Sequence, residues 1–183
     1  MTMSIMLMAA KIARFCHDGQ VRDNKRPYIT HPARVAGQVL VIPDATEEWA
    51  AAAYLHDVLE DTAMTVECLR LKFPHSVVDV VVELTNQFLD KAEKRESRKA
   101  KERERLGRVS PVAKIIKMLD REDNLLEMPT PCKFRDLYVE ESRLLLPLLA
   151  DANEELAARL AVVIDSIPPS LAGNLRLINF NTD

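Results

Sequence analysis

The sequence predicts an all-α fold, a single compact bundle of many helices. Among 183 residues there are only four glycines and 5% aromatic residues, while Ala, Leu, Glu, Lys and Arg abound. That composition favours helix over sheet. Apolar residues also recur at helical spacing in one segment after another. With 48% hydrophobic residues the chain can bury one sizeable core, and it is too short for two ordinary domains. Residues 1–183 therefore read as one domain, with a core over about 5–167 and a C-terminal tail from 168 to 183.

A formal charge of -3 gives no general attraction to nucleic acid or to an anionic membrane. Met3 to Ala10 is apolar, but no basic segment precedes it and Lys11 and Arg14 soon interrupt the apolar run. It fits neither a secretory signal nor a membrane span. Cys16, Cys68 and Cys132 are odd in number and widely spaced in apolar surroundings. They read as reduced core thiols of a cytoplasmic protein.

Ile5 to Cys16 carries an apolar helical stripe that stops at His17-Asp18-Gly19, where Gly19 suits a C-terminal cap. Gln20 to Tyr28 is a polar loop with three cations, Arg22, Lys25 and Arg26. Thr30-His31-Pro32 opens the next helix, with Thr30 or His31 near the cap and Pro32 in the first turn. That helix runs through Val35 and Val39 to a Pro43-Asp44 turn.

Trp49 to Asp61 is the central stretch, a helix capped by Thr46 with Glu47 and Glu48 in its first turn. Its apolar run ends in His56-Asp57 and Glu60-Asp61. Side chains four apart share a helical face, so His56 is expected to meet Glu60 and Asp57 to meet Asp61. Three carboxylates and an imidazole within a turn and a half repel one another and resist desolvation unless a cation compensates them. A divalent metal is the economical answer. His17-Asp18 is a second His-Asp pair, but Val21 and Arg22 follow it where Glu60 and Asp61 follow His56, so it reads as structural.

Thr62 and Thr65 cap a short helix ending at Phe73-Pro74, and Ser76 to Leu84 forms another whose valines pack nearly all round. His75 reads as an ordinary surface residue. Lys91 to Arg108 holds nine basic and four acidic residues. It reads as a solvated helix, with Glu102 and Arg105 paired at i+3, rather than as a mobile flap over an anion. Ser110-Pro111 starts a strong helix with Val112, Ile115, Ile116 and Leu119 inward and Lys117, Asp120 and Asn124 on one stripe. After the Pro129 to Pro131 break, Phe134 to Leu149 and Glu154 to Ile167 read as two amphipathic helices, and Leu171 to Asp183 has no clear pattern.

His31, His56, Asp57 and Asp120 together give two imidazoles and two carboxylates on three helices. This mixed nitrogen and oxygen set suits an octahedral divalent ion such as manganese, with iron, cobalt or zinc as alternatives. Four protein ligands leave two positions for water or substrate.

These residues resemble the HD-domain phosphohydrolases, and more closely the hydrolase domain of the RelA/SpoT family as found alone in small alarmone hydrolases. The resemblance rests on Phe15-Cys16-His17-Asp18-Gly19-Gln20, Arg22, Pro27-Tyr28-Ile29-Thr30-His31-Pro32, Leu55 to Thr62, and Ser110-Pro111 leading to Lys117, Asp120 and Asn124. It implies a manganese-dependent hydrolase that removes the 3′-pyrophosphate from guanosine 3′,5′-bis(diphosphate) or its pentaphosphate relative. It implies His31, His56, Asp57 and Asp120 as metal ligands, with Glu60 and Asp61 handling the attacking water. Arg22, Lys91, Asn124 and Tyr138 match nucleotide-contacting positions of that family. Lys25 and Lys117 are further cations suited to the phosphates.

The chain departs from the family pattern in the loop before Pro27, which is shorter and has Asp23 where lysine is usual, and in the Lys91 to Arg108 segment, which is longer and more charged than expected. Both differences touch substrate recognition. A phosphomonoesterase acting on another nucleotide and a non-catalytic nucleotide sensor stay open as alternatives. The expected partner is a small-molecule nucleotide, with no nucleic acid and no membrane, and a homo-oligomer is left open.

Overall fold

The computed structural model describes residues 3–129 and 134–168. Among them every regular element is helical, and the only extended pairing is an isolated antiparallel bridge between Val21 and Pro27. The helices are α1 (Ile5–Cys16), α2 (Thr30–Val39), α3 (Glu47–Leu55), α4 (Val58–Asp61), α5 (Val66–Arg70), α6 (His75–Leu84), α7 (Arg95–Leu106), α8 (Pro111–Glu127), α9 (Arg135–Leu149) and α10 (Glu154–Ser166). None of them is long and apolar enough to cross a membrane.

Two helices form the centre. In α3 the residues Ala50, Ala51, Ala52, Ala53 and Leu55 are all fully buried, so beyond its acidic first turn this helix is apolar all round, as a core helix must be. Its alanines let α1, α2 and α6 pack closely on it. The other, α8, packs against α2, α6, α9 and α10. It buries Ile116, Met118 and Leu119 and, with them, the charged Lys114, Asp120, Arg121, Glu122 and Asp123. Buried charges need partners, and these largely have them: Lys114 with Asp151, Lys117 with Asp120, and Glu122 with Arg159.

Several helix starts follow from local chemistry. The Thr46, Thr65 and Ser110 hydroxyls accept from the backbone N–H groups of Trp49, Cys68 and Ala113, satisfying donors that have no partner within the helix. Gly19 takes φ +74, which costs glycine little.

Other expectations are corrected. Thr30 is the first residue of α2 and does not cap it; its hydroxyl donates to the Pro27 carbonyl. The helix expected through Asp61 is interrupted, because α3 stops at Leu55 and α4 restarts at Val58. Cys68 is exposed, not a core thiol, whereas Cys16 is half-buried and burial raises its pKa. The charged segment 95–106 is helical but not merely solvated. Glu102 is buried, paired with Arg105, whose guanidinium also donates to the carbonyls of Glu83 and Thr85. Cys132 and the tail Leu171 to Asp183 lie outside the described residues.

Candidate metal centre and active site

The break between α3 and α4 shapes the site. His56 caps the end of α3 and Asp57 precedes α4, so both side chains leave the helical register that would have stacked His56 on Glu60. Their partners differ accordingly. His56 Nδ1 donates to the Ala53 carbonyl at 2.7 Å, while Glu60 accepts from the backbone N–H of Asn86 at 2.6 Å. The other expected pair does converge. The Tyr28 hydroxyl lies 2.8 Å from Asp57 Oδ2 and 2.9 Å from Asp61 Oδ2.

The three chain segments meet at two buried imidazoles, His31 at 1% and His56 at 2% exposure. A carbonyl can only accept, so His56 Nδ1 carries a hydrogen, and the Nε2 of the neutral ring presents its lone pair. That Nε2 is buried without a hydrogen-bond partner, although Asp57 Oδ2 is 3.1 Å and Asp120 Oδ1 3.7 Å away. His31 repeats the arrangement. Its Nδ1 faces Asp123 Oδ2 at 2.6 Å, and its Nε2 faces Asp120 at 3.2 Å and Asp57 at 3.6 Å. Ligand atoms of His31, His56 and Asp57 all lie within 4.8 Å of one another.

Two lone pairs facing two carboxylates repel unless a cation stands among them. In the metal-free chain protons are the available cations. Burial opposes the His56 and His31 cations, but the Asp57, Asp120 and Asp123 carboxylates outweigh it and raise both pKa values. Burial likewise opposes the Asp57 and Asp120 anions. His56 beside Asp57, and Lys117 with the histidines beside Asp120, nevertheless hold both carboxyls below the usual range. A divalent ion fits this donor set better than protons do. The His31 Nδ1 contact to Asp123 is the outer-shell carboxylate that fixes tautomer and ring orientation around metal-binding histidines.

Around this cluster the remaining expected residues divide. Asn124 Nδ2 donates to Asp120 Oδ1 at 2.6 Å, and Arg22 donates to Asn124 Oδ1 at 2.6 Å. Tyr138 stands under the Arg121 guanidinium, whose centre is 4.4 Å from its ring. Lys117 is half-buried with its ammonium 2.7 Å from Asp120 Oδ2. Lys25 stands exposed at the tip of the turn bridged by Val21 and Pro27, with φ +66. Lys91 is exposed in the turn before α7, with no contact to the cluster among the described residues. Glu60 reaches solvent, yet its carboxyl is crowded enough that desolvation lifts its pKa, despite the Asn86 N–H and the Lys117 charge.

Residues to which the sequence reading gave no site role complete the setting. Tyr28 joins Asp57 to Asp61. Asp123 backs His31 and is itself gripped by Arg34 at 2.6 Å. His17, buried, stacks on Tyr28 with ring centres 4.6 Å apart and contacts Gln20, whose amide holds the Asp61 carbonyl. Lys99, Arg103 and Arg121 line a pocket with Glu60 and Lys117. Asp123 three residues after Asp120 was the one visible signal; the others depend on chain segments far apart.

The chain is similar to known proteins. Residues 9–131 match the family model of the HD domain. The chain is 32% identical over 157 residues to the guanosine-3′,5′-bis(diphosphate) 3′-pyrophosphohydrolase MESH1 of Drosophila melanogaster, covering 81% of this chain and 86% of that protein. It is 33% identical over 144 residues to the guanosine-3′,5′-bis(diphosphate) 3′-pyrophosphohydrolase of Haemophilus influenzae, 75% of this chain but 21% of that protein. The chain thus spans about a fifth of the length of such bacterial relatives. It also superimposes on the solved structure of a metazoan orthologue of SpoT that hydrolyses ppGpp, with a TM-score of 0.77 and 29% identity over 90% of this chain and 96% of that one. With histidines and aspartates gathered from α2, the α3–α4 break and α8, the chain belongs to the HD-domain family, in the branch of the RelA/SpoT-type hydrolases.

Proposed function

We propose that this chain hydrolyses guanosine 3′,5′-bis(diphosphate), releasing pyrophosphate from the 3′ position and leaving GDP. The observation that carries the reading is the pair of buried imidazoles whose Nδ1 atoms are both engaged, so that both Nε2 atoms turn toward Asp57 and Asp120. His31, His56, Asp57 and Asp120 would hold the ion, with manganese favoured by the mixed nitrogen and oxygen donors. A bound divalent ion lowers the pKa of water and polarises a phosphoryl oxygen.

The chain's own residues supply the rest. Glu60, with its pKa raised, accepts a proton from the attacking water as a general base. Asp61, tied to Asp57 through the Tyr28 hydroxyl, orients that water. Water attacks the phosphorus on the 3′ oxygen, the bond between them breaks, and the proton on Glu60 is available to the departing oxygen. Arg22, Lys25 and Lys117 oppose the substrate's negative charge, Arg22 with a planar fork suited to phosphate. Lys91 belongs to this set only if it swings inward from its exposed turn. Asn124 and Tyr138 contact sugar and base.

Chromatography of the products from guanosine 3′,5′-bis(diphosphate), incubated with purified protein and manganese, tests this reading. GDP and pyrophosphate in equal amounts are expected. Release of orthophosphate, or an unchanged substrate, would overturn it.

A further inference from the structure

A second cluster of charge lies beyond Glu60, where α7, α8 and α9 enclose a pocket of about 80 Å³. Lys99, Arg103, Lys117 and Arg121 line it. Arg121 is 8% exposed and has no carboxylate within ion-pair distance among the described residues. It sits 4.4 Å above the Tyr138 ring and reaches Ser142 at 3.4 Å, and its Nε is buried without a partner. A buried guanidinium in that state is costly unless an anion joins it.

The acids along the same wall are already committed. Glu141 pairs with Arg95, Glu102 with Arg105, and Glu60 accepts from the Asn86 N–H. Lys117 neutralises Asp120. Lys99 and Arg103 have no ion-pair partner among the described residues. Burial, with Arg121, Arg95 and Lys117 nearby, lowers the Lys99 pKa despite Glu141. Positive charge is thus in surplus inside a concave site that opens beside Glu60.

We infer that the pocket between α7, α8 and α9 is a diphosphate subsite, in which Lys99, Arg103 and Arg121 receive a phosphoanion next to the reacting centre. The inference rests on the proposed hydrolysis for its place in the reaction, but not for the binding itself. Two sources offer the same chemistry: the pyrophosphate that leaves the 3′ position, and the 5′-diphosphate of the nucleotide. The position beside Glu60 favours the leaving pyrophosphate.

The test is calorimetric titration of the full-length, manganese-loaded protein with inorganic pyrophosphate and, separately, with GDP. It is run on the parent, Lys99→Gln, Arg103→Gln and, as an outer-face control, Arg108→Gln. Loss of one charged contact should weaken pyrophosphate binding about tenfold or more in the first two variants and leave it near the parent value in Arg108→Gln. If GDP binding falls instead while pyrophosphate binding holds, the subsite stands and takes the 5′-diphosphate. If neither ligand is weakened, or Arg108→Gln loses as much, the inference is overturned. The hydrolysis assay runs in parallel: binding lost in the pocket variants of a protein without turnover sinks only the proposed function, and turnover with unaltered binding sinks only the subsite.

Discussion

His31 Nδ1 lies 2.6 Å from Asp123 Oδ2, across 92 residues of chain. Asp123 is buried and held on its other oxygen by Arg34, so the imidazole has one orientation, with Nε2 toward Asp57 and Asp120. Removing such a supporting carboxylate typically costs 10- to 100-fold in metal affinity or activity. Asp123→Ala should therefore weaken manganese binding by about that factor, read by titration of chelated protein. Unchanged affinity would remove Asp123 from the centre.

Asp57→Ala and Asp120→Ala should abolish metal retention and turnover together. Glu60→Ala should keep the metal and slow turnover by about 10²- to 10⁴-fold. Metal analysis beside a hydrolysis assay separates the two outcomes, and an active Asp57 variant would refute its assignment as a ligand.

Tyr28→Phe removes the hydroxyl between Asp57 and Asp61 while keeping the ring that His17 stacks on. A hydrogen bond to a charged group contributes about 1.5–3 kcal/mol. Turnover should accordingly fall by roughly 10- to 100-fold, with the Michaelis constant little changed because phenylalanine keeps the ring beneath Arg22. A raised Michaelis constant at unchanged turnover would place Tyr28 in nucleotide binding instead.

The histidine shifts set a pH dependence. Folding raises the pKa values of His31 and His56 above the ordinary 6.5, so their protonation stabilises the metal-free protein fully below that value. This contribution is lost as pH rises through the folded values. Asp120 is lowered from 3.8, so its contribution is present above that value and lost as pH falls through the folded one. Metal-free protein should be most stable in mildly acidic solution. Manganese binds the neutral imidazoles and competes with their protons, so its addition should raise the melting temperature more at pH 8 than at pH 6. Calorimetry at both values checks this, and an equal or reversed gain would mean the histidines are not ligands.

Much of the fold was legible because local chemistry governs it. The stripe of α1, the Thr46 cap and the Ser110-Pro111 start all emerged where expected. The His56-Asp57 pair drew attention because acids and an imidazole crowd an apolar run, and the structure brings His31 and Asp120 beside it. The break between α3 and α4 was not legible, since Leu55 to Asp61 contains no glycine or proline to announce it. Nor was the role of Tyr28, a motif residue whose hydroxyl meets Asp57 and Asp61 only through the return of α2 against α3. Lys91 rests on the family resemblance; spacing alone does not single out Lys99 or Arg103, which reach the pocket through the packing of α7 on α9.

Arg22, Asn124 and Asp120 form an unbroken relay from the polar turn to the ion-binding cluster. In the proposed function, a nucleotide phosphate competing for the Arg22 donor that Asn124 now occupies would loosen Asn124 and with it the hydrogen bond to Asp120. Occupancy at one end is therefore felt at the other, and thermodynamic reciprocity makes the influence equal in both directions. Removing the ion should accordingly change the affinity for the proposed nucleotide by the same factor by which that nucleotide changes the affinity for the ion.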